Sequence, residues 1–271
     1  MSKGCIFILS VSSDIGHALA LSYVADGYEV VGTYRNRESV ADLAQEDRIQ
    51  LLHCDIASRE SIHRMIIAYK GISKPWDIFI SCVGTMEPIG PFFAQDFEAW
   101  EESIKVNSTA QLRVLHGIYP YRLQGPVSYV VFFAGGGTNS AFANYSAYAA
   151  SKLLLIKMCE LLDDECEDLS IFIIGPGFRK TKIHRQTFEN SAGAGRNLER
   201  TLGFFRSSQT DNTYKDIYYF INRCIFKGKS VVSGRNFSVL YDFWHNGHRL
   251  EKQLLKDPEK FKLRRFNGKE A

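Results

Sequence analysis

The feature that most constrains the fold of this 271-residue chain is a regular alternation of short apolar runs with longer segments suited to helices. The runs, interpreted as strands, lie at residues 5–9, 28–34, 49–54, 76–82, 127–133 and 169–174. Continuously apolar strands are typical of sheets covered on both faces, and intervening helices connect parallel neighbours. The sequence therefore predicts a single α/β domain, a Rossmann-like doubly wound parallel sheet with helices on both faces.

The segments between and after these strands supply the predicted helices, which lie at residues 15–26, 39–46, 59–69, 97–121, 146–166 and 214–226. Beyond Gly177 the alternation pauses, and residues 179–213 are polar with two short helical stretches. We interpret them as a small, mobile lid insertion over the ligand crevice. A turn or short strand at 230–234 and a strand at 237–241 follow. The predicted domain spans 1–250, and the basic tail 251–271 is expected to be a solvated helix or disordered end.

The polar features of the chain follow the predicted strands directly. In a doubly wound sheet the loops at the carboxyl ends of the strands build the ligand crevice. The residues that fall there are Ser12, Ser13, Arg35, Asp55, Gly84, the run 135–137 and Pro176-Gly177. Because these features share one edge of the sheet, the sequence predicts a small-molecule site at that edge.

Tyr148 and Lys152 are four residues apart in a predicted helix, so they lie on one helical face. A free phenol titrates near pH ~10, too high for efficient proton transfer at neutral pH. A nearby ammonium favours the phenolate, and we expect it to lower the pKa of the phenol. An ordinary surface pair is the alternative that the spacing alone leaves open.

Composition excludes several other classes of function. The chain is 45% hydrophobic and 23% charged with a formal net charge of +3, which favours an ordinary soluble domain and not a nucleic-acid binder. It contains no apolar run of the roughly 18 residues that a membrane span needs. The six cysteines lack metal-ligand spacing, so we expect free thiols, no metal site and a reducing cytoplasmic location.

The chain resembles the short-chain dehydrogenase/reductase superfamily over nearly its full length. The anchors are Tyr148 with Lys152, Asn107 in Lys105-Val106-Asn107, and the segment Pro176-Gly177-Phe178-Arg179-Lys180-Thr181. The resemblance implies that Tyr148 is the general acid in carbonyl reduction and the general base in alcohol oxidation. It implies that Lys152 lowers the tyrosine pKa and binds the nicotinamide ribose, and that Asn107 holds a water that relays protons.

The same resemblance implies a set of cofactor-binding residues: Ser10, Ser12, Ser13, Asp14, Ile15, Arg35, Asp55, Ile56, Cys82, Val83, Gly84, Tyr148, Lys152, Pro176, Gly177, Phe178 and Thr181. In the family, the first loop reads T-G-x-x-x-G-x-G, whereas here only its last glycine, Gly16, is present. Ser10 and Asp14 stand where glycines let the backbone approach pyrophosphate. Asp14 adds a negative charge near that group unless it caps the helix. We expect weakened but retained dinucleotide binding.

A second departure affects the catalytic serine of the family. Counting back from Tyr148 places that serine within Ala134 to Gly136, and an S-G-G-G variant of the segment aligns it with Ala134. Thr138 or Ser140 is an alternative donor if the loop takes a different course. Otherwise Tyr148 provides the one side-chain hydrogen bond to the substrate oxygen, and loss of such a donor typically costs about 10²–10³ in rate. Slow catalysis and lost activity are both consistent with this sequence.

Arg35 follows the second strand, where NAD-specific members of the family carry an acidic residue. Because a guanidinium suits a 2′-phosphate, the sequence predicts a preference for NADP(H) over NAD(H). A solvated arginine is the alternative.

A weaker resemblance points to a subgroup associated with bacterial surface-glycan biosynthesis. It rests on the segments 134–137, 192–195 and 233–244, the last ending in Phe243 and Trp244. The lid residues Lys182, His184, Arg185, Arg196, Arg200 and Arg206 fit an anionic sugar derivative, or simply form a solvated face. The resemblance also implies a homodimer or homotetramer formed through helices 97–121 and 146–166. A nucleotide-binding interaction or sensor protein is the alternative to an enzyme.

Overall fold

This computed structural model describes residues 2–207, 214–242 and 248–265. Within them, seven parallel strands form one sheet in the spatial order β3-β2-β1-β4-β5-β6-β7. The strands are β1 (Cys5–Leu9), β2 (Glu29–Tyr34), β3 (Ile49–His53), β4 (Ile78–Ser81), β5 (Ser128–Phe133), β6 (Leu169–Gly175) and β7 (Asn236–Ser238). The order in which successive strands are added reverses between β1 and β4, which places the crevice of a doubly wound sheet above these two strands.

The helices are α1 (Asp14–Ala25), α2 (Arg59–Ile72), α3 (Phe97–Ile104), α4 (Ala110–Ile118), α5 (Ser146–Glu165), α6 (Arg185–Glu189), α7 (Ser191–Ala194), α8 (Arg196–Arg206), α9 (Tyr214–Lys227), α10 (Lys229–Val232) and α11 (Arg249–Lys256). Among the described helices, none is long and apolar enough to cross a membrane. The same residues contain no cluster of three His, Cys, Asp or Glu side chains suited to a metal.

Alternate strand residues divide the core into two apolar layers, as the period of a strand requires. Ile6 and Ile8 of β1 belong to the layer that includes α1 and α9, whereas Phe7 and Leu9 belong to the layer that includes α2, α4 and α5. All four side chains are essentially inaccessible to solvent. The predicted α/β fold, with a parallel sheet covered on both faces, is confirmed.

Two predicted helices differ from the structure. Residues 39–46 form two short 3₁₀ turns, Arg37–Val40 and Leu43–Gln45, instead of a continuous helix. The Asn36 side chain caps the first turn by accepting a hydrogen bond from the Glu38 amide at 3.0 Å. The two 3₁₀ turns end after four and three residues. The helix predicted over 97–121 is divided into α3 and α4 by a π-helical turn.

The described part of the lid is helical, as the short helical stretches of the sequence suggested, and it is attached by hydrogen bonds; its mobility stays a prediction. Gln186 of α6 accepts a hydrogen bond from the Met86 amide at 2.7 Å through its side-chain oxygen. Asn144 donates to the carbonyl of Gly193 in α7 at 2.7 Å. These contacts attach the lid to the loops after β4 and β5. Residues 208–213 of the predicted lid lie outside the described residues.

The C-terminal part also differs from the expectation of a short strand and a solvated tail. Residues 229–232 form helix α10, and α11 crosses the boundary predicted at residue 250. Leu254 is buried in the core layer of α1 and α9. Arg264 forms an ion pair with Glu160 of α5. The tail therefore contacts the domain as far as Arg264, while Phe243, Trp244 and residues 266–271 lie outside the described residues.

Arg235 holds this C-terminal segment in place. Its guanidinium is buried and donates to the carbonyls of Leu254 at 2.9 Å, Asp257 at 3.3 Å and Lys260. Burial lowers the pKa of this guanidinium, with Asp257 opposing the shift. The charge therefore remains compensated by backbone carbonyls and a nearby carboxylate.

We predict that Arg235→Met lowers the free energy of unfolding by about 2 kcal/mol, because three carbonyls lose a charged donor. Urea denaturation measures this. The matched control is Arg223→Met on the exposed face of α9, expected to change stability by no more than about 0.5 kcal/mol. Equal effects of the two substitutions would contradict the role of Arg235.

Candidate active site

Tyr148 and Lys152 lie in the first two turns of α5, buried at the carboxyl edge of the sheet. Their relative exposures are 7% and 2%. Lys152 Nζ lies 3.4 Å from the carbonyl oxygen of Val83, just beyond β4, and 5.7 Å from the centre of the Tyr148 ring. The structure thus brings the predicted pair together with the loop after β4.

Burial, and not the neighbouring charge, dominates the ionisation of both groups. Desolvation raises the pKa of the Tyr148 phenol to about 12 and lowers the pKa of the Lys152 ammonium to about 8. The expectation of a lowered phenol pKa is therefore not met in this structure. At neutral pH the phenol keeps its proton beside a charged ammonium, so it has a proton to donate, although the raised pKa makes it a weaker acid than a free phenol.

Gly135 is the residue of the loop after β5 that faces the phenol. A Cβ atom added at Gly135 would lie 2.0 Å from the Tyr148 hydroxyl oxygen. Ala134, by contrast, is buried in the core layer of α5, and its amide continues the strand ladder to Ile174 at 3.0 Å. Within the predicted range 134–136, Gly135 is therefore the residue that lies against the phenol, and the alignment of the family serine with Ala134 stays a prediction.

The two alternative hydroxyl donors are placed differently. Thr138 donates to the Gly135 carbonyl at 3.2 Å, so its hydroxyl lies beside the loop backbone. Ser140 is exposed. Thr138 is therefore the nearer candidate for a replacement donor, and that role stays a prediction.

Asn107 lies in the π-helical turn Lys105–Thr109, a distortion that is frequent at functional sites. Its side-chain oxygen accepts from the Thr85 amide at 2.8 Å, and its side-chain nitrogen donates to the Thr85 carbonyl at 2.8 Å. Gln111 donates to the Asn107 carbonyl at 2.7 Å. The Asn107 side chain therefore braces the loop after β4, and its role in a water relay stays a prediction.

The first loop keeps a glycine-like backbone although its glycines are missing. Ser10 has φ +70°, a left-handed conformation that is uncommon outside glycine. A Cβ atom added at Gly16 would lie 2.3 Å from the Ser10 carbonyl oxygen, so the one remaining glycine is required. Ser13 caps α1 by accepting from the Gly16 amide at 3.0 Å. Ile15 follows in the first turn of the helix.

Lys182, from the loop after β6, contacts this first loop at two points. Its amide donates to the Asp14 carboxylate at 2.6 Å, and its ammonium donates to the carbonyl of Ser12. Asp14 is the first residue of α1 and does not cap the helix, since Ser13 does so. The sequence suggested for Lys182 either a substrate-binding cation or a solvated face, because no sequence spacing reveals a contact across 170 residues.

The adenine end of the predicted site lies beyond β2 and β3. Arg35 is exposed immediately after β2. The Cys54 amide donates to the Tyr34 carbonyl at 2.8 Å, which continues the pairing of the two strands. Asp55 accepts a hydrogen bond from the Ala57 amide at 3.1 Å, and Ile56 packs on the core layer of α2. The ends of β2 and β3 therefore place Arg35 and Asp55 on the same edge.

The remaining predicted cofactor residues follow β4 and β6. The Cys82 amide donates a hydrogen bond to the Leu9 carbonyl at 2.9 Å. The segment of Cys82, Val83 and Gly84 therefore starts next to the end of β1. Pro176 and Gly177 follow β6, and Gly177 has φ +78°. The Phe178 ring stacks on His184, with centroids 4.5 Å apart. Thr181 starts the turn that leads into the lid.

Arg179 lies in the same loop and points toward α9. Its Nε donates to the Pro176 carbonyl at 2.8 Å, and Nη1 is 3.7 Å from the Asp216 carboxylate. Among the described residues, its two terminal nitrogens have no hydrogen-bond partner. Burial lowers the pKa of this guanidinium, with Asp216 opposing the shift.

The surroundings of Tyr148 are largely apolar. Tyr148 belongs to a separate cluster that joins the loops after β4 and β5 to the lid. Its other buried members are Met86, Ile89, Tyr145 and Ala194, and Phe142, Ile183 and Leu198 pack against them. An apolar enclosure strengthens hydrogen bonds and charges inside it. The arrangement can therefore protonate a substrate oxygen next to an apolar wall.

We predict that Gly135→Ala lowers the free energy of unfolding by about 1–3 kcal/mol, because the new methyl group overlaps the Tyr148 phenol. Gly136→Ala is the matched control: its added Cβ would have its nearest neighbour at 3.4 Å, the Phe142 ring. The control is expected to stay within about 0.5 kcal/mol of the unsubstituted protein. Chemical denaturation measures both, and a Gly135→Ala protein as stable as the control would contradict the close approach.

Comparison with known proteins identifies the family of this chain. Residues 4–192 match the short chain dehydrogenase family. An NADPH-dependent pterin aldehyde reductase of Arabidopsis thaliana is 26% identical over 195 residues, covering 69% of this chain and 79% of that protein. The uncharacterized oxidoreductase YciK of Escherichia coli is 24% identical over 196 residues, covering 68% and 76%.

Two solved structures show the same fold. A Saccharomyces cerevisiae short chain dehydrogenase/reductase superimposes with a TM-score of 0.78 at 20% identity, covering 88% of this chain and 96% of that one. A Shigella flexneri short chain dehydrogenase complexed with NADP gives 0.75 at 20% identity, covering 89% and 98%. The family match extends over most of the chain and includes Asn107, Tyr148 and Lys152. This chain belongs to the short chain dehydrogenase family of oxidoreductases.

Proposed function

We propose that this protein is an NADPH-dependent reductase that converts a ketone or aldehyde into an alcohol. The observation that carries the proposal is the buried Tyr148 phenol, which keeps its proton at neutral pH beside the charged Lys152 ammonium. The bound dinucleotide would supply the hydride that the carbonyl carbon receives. Tyr148 would give its proton to the carbonyl oxygen, and Lys152 would stabilise the phenolate that remains. The reverse oxidation requires the phenolate first, which burial disfavours.

The preference for NADP(H) rests on Arg35. Its guanidinium is exposed at the end of β2, and Arg37 nearby lies 5.5 Å from the centre of the Tyr34 ring. An exposed guanidinium at this edge can bind a 2′-phosphate with two parallel hydrogen bonds. The Arabidopsis relative is NADPH-dependent by name, and the Shigella structure contains NADP, which supports the same preference here.

For the substrate, we propose a sugar, sugar phosphate or nucleotide sugar, as in enzymes of bacterial surface-glycan biosynthesis. The support is the exposed basic face of the lid, formed by Arg185, Arg196, Arg200 and Arg206, whereas Lys182 contacts the first loop instead. His184 does not belong to this face, because it is buried against Phe178 and burial lowers the pKa of its imidazole. Since the residues around Tyr148 are apolar, an anionic group of the substrate would lie toward the lid and away from the reacting carbonyl.

A nucleotide-binding interaction or sensor protein is the second candidate. The observation that favours it is Gly135, which leaves no serine hydroxyl against Tyr148. Retention of Tyr148 and Lys152 in a buried pair favours the reductase, because nucleotide binding alone does not require a buried phenol. Turnover, measured below, separates the two.

We also propose a homodimer or homotetramer that pairs the surface of α3 and α4 with that of α5. Phe97 and Leu161 on these helices are 54% and 42% exposed, which supports an apolar contact. Sedimentation velocity tests this, and a monomer at micromolar concentration would contradict it.

A cytoplasmic location is proposed on the six free thiols, which suit a reducing compartment. We propose no nucleic-acid or membrane partner.

We predict that Arg35→Ala weakens NADPH binding by about tenfold or more and leaves NADH binding within about twofold, because only the 2′-phosphate loses its partner. Fluorescence titration of both nucleotides measures this. Arg113→Ala removes an exposed arginine on α4 and serves as the control, with no change for either nucleotide. Equal weakening of NADPH and NADH would contradict the assignment of Arg35.

We predict NADPH-dependent turnover with at least one member of a panel of keto-sugars, their phosphates and aldehydes. The rate should fall as pH rises through about 8, because Lys152 loses its charge there while Tyr148 keeps its proton. Tyr148→Phe should lower the rate at least ~10²-fold without weakening NADPH binding. Tyr219→Phe, at a side chain that is 65% exposed, is the control. NADPH binding without turnover, unchanged by Tyr148→Phe, would favour the sensor.

A further inference from the structure

Lys182 lies against the first loop, in which serine and aspartate replace glycines of the family pattern. The ammonium donates to the Ser12 carbonyl, and the Lys182 amide donates to the Asp14 carboxylate at 2.6 Å. The loop after β6 and the loop after β1 are thereby joined at the start of α1. Lys182 itself is exposed, so its ammonium remains accessible to a ligand.

The charge balance of the first loop explains why a cation is needed there. A pyrophosphate is held by backbone amides that glycines leave accessible. Here the Ser13 hydroxyl already accepts a hydrogen bond from the Gly16 amide at 3.0 Å. Asp14 adds a negative charge in the same turn. An uncompensated carboxylate at this point would repel a phosphate. The positive charge of the Lys182 ammonium offsets the negative charge of the Asp14 carboxylate, so the two side chains together carry no net charge.

We propose that Lys182 binds the pyrophosphate of the dinucleotide and replaces the contacts that the missing glycines make in related proteins. The inference rests on the proposed function, since it requires that the chain binds a dinucleotide. The ammonium has three donors on a flexible stem, so it can leave the Ser12 carbonyl for a phosphate oxygen without movement of the backbone. Asp14 remains bound to the Lys182 amide and keeps the lysine beside the loop.

Calorimetric titration with three ligands tests this: NADP⁺, 2′-phospho-ADP-ribose and 2′-AMP, of which the last lacks the pyrophosphate. Lys182→Gln should weaken the first two about tenfold and leave 2′-AMP within about twofold, because only the pyrophosphate loses a charged donor. Lys182→Arg should restore both to within about threefold. Asp14→Asn, which keeps an acceptor for the Lys182 amide, should tighten both several-fold. Lys215→Gln, an exposed lysine on α9, is the charge-matched control with no effect.

The outcomes separate this inference from the proposed function. If the unsubstituted protein binds none of the ligands, both fail. If it binds NADP⁺ and Lys182→Gln binds it equally well, only the inference fails. Equal weakening of all three ligands would overturn it too, because that pattern indicates a structural role of the Lys182 contact with Ser12.

Discussion

The burial of Tyr148 and Lys152 in one enclosed space is the constraint on which the rest of the site depends. A phenol and an ammonium removed from water shift in opposite directions, the phenol toward its protonated form and the ammonium toward its neutral form. The enclosure is built from four separate elements: α5, the loop after β4, the loop after β5 and the lid. Because Val83 is the hydrogen-bond acceptor near Lys152, the parallel register of β4 sets the position of the charge.

The departures from the family pattern are accommodated locally and in different ways. Ser10 takes the left-handed backbone that a glycine would take, at a cost of about 1–2 kcal/mol. Gly135 has no side chain, so the Tyr148 phenol packs directly against its backbone, in the space that a Cβ atom would need. Asp14 is tied to the amide of Lys182. The backbone of the first loop thus keeps a glycine-like conformation at Ser10, and the substitutions are accommodated by neighbouring residues.

The sequence predicted what depends on local pattern. The apolar period of strands such as β1 and the spacing of Tyr148 and Lys152 are readable because each involves a few consecutive residues. The sequence did not predict the break at 39–46 or the helix at 229–232, where capping and packing decide between short alternatives. The sequence also did not show which residue of 134–136 lies against the phenol, because one residue at a strand end changes the face that a side chain occupies; in the structure it is Gly135.

Contacts between distant segments were not predictable from one sequence. The Lys182 contacts with Ser12 and Asp14, and the Arg235 contacts with the C-terminal segment, join residues that no periodicity relates. The π-helical turn around Asn107 was likewise not predictable, because its contacts come from other segments. Gln111 of the next helical turn and Thr85 of the loop after β4 both hydrogen-bond to Asn107. The Gln111 position, one helical turn after Asn107, is the signal that would have suggested this brace.

The ionisation of Tyr148 tests the central claim most directly. Carbon-13 NMR of protein labelled at the tyrosine Cζ atoms, with Tyr148 assigned by the signal lost in Tyr148→Phe, follows the phenol through a pH titration. The account predicts that this signal stays in the protonated form beyond pH 10, with a pKa of about 12. A Tyr148 signal that titrates near neutral pH would show that the Lys152 charge outweighs burial and would contradict the account.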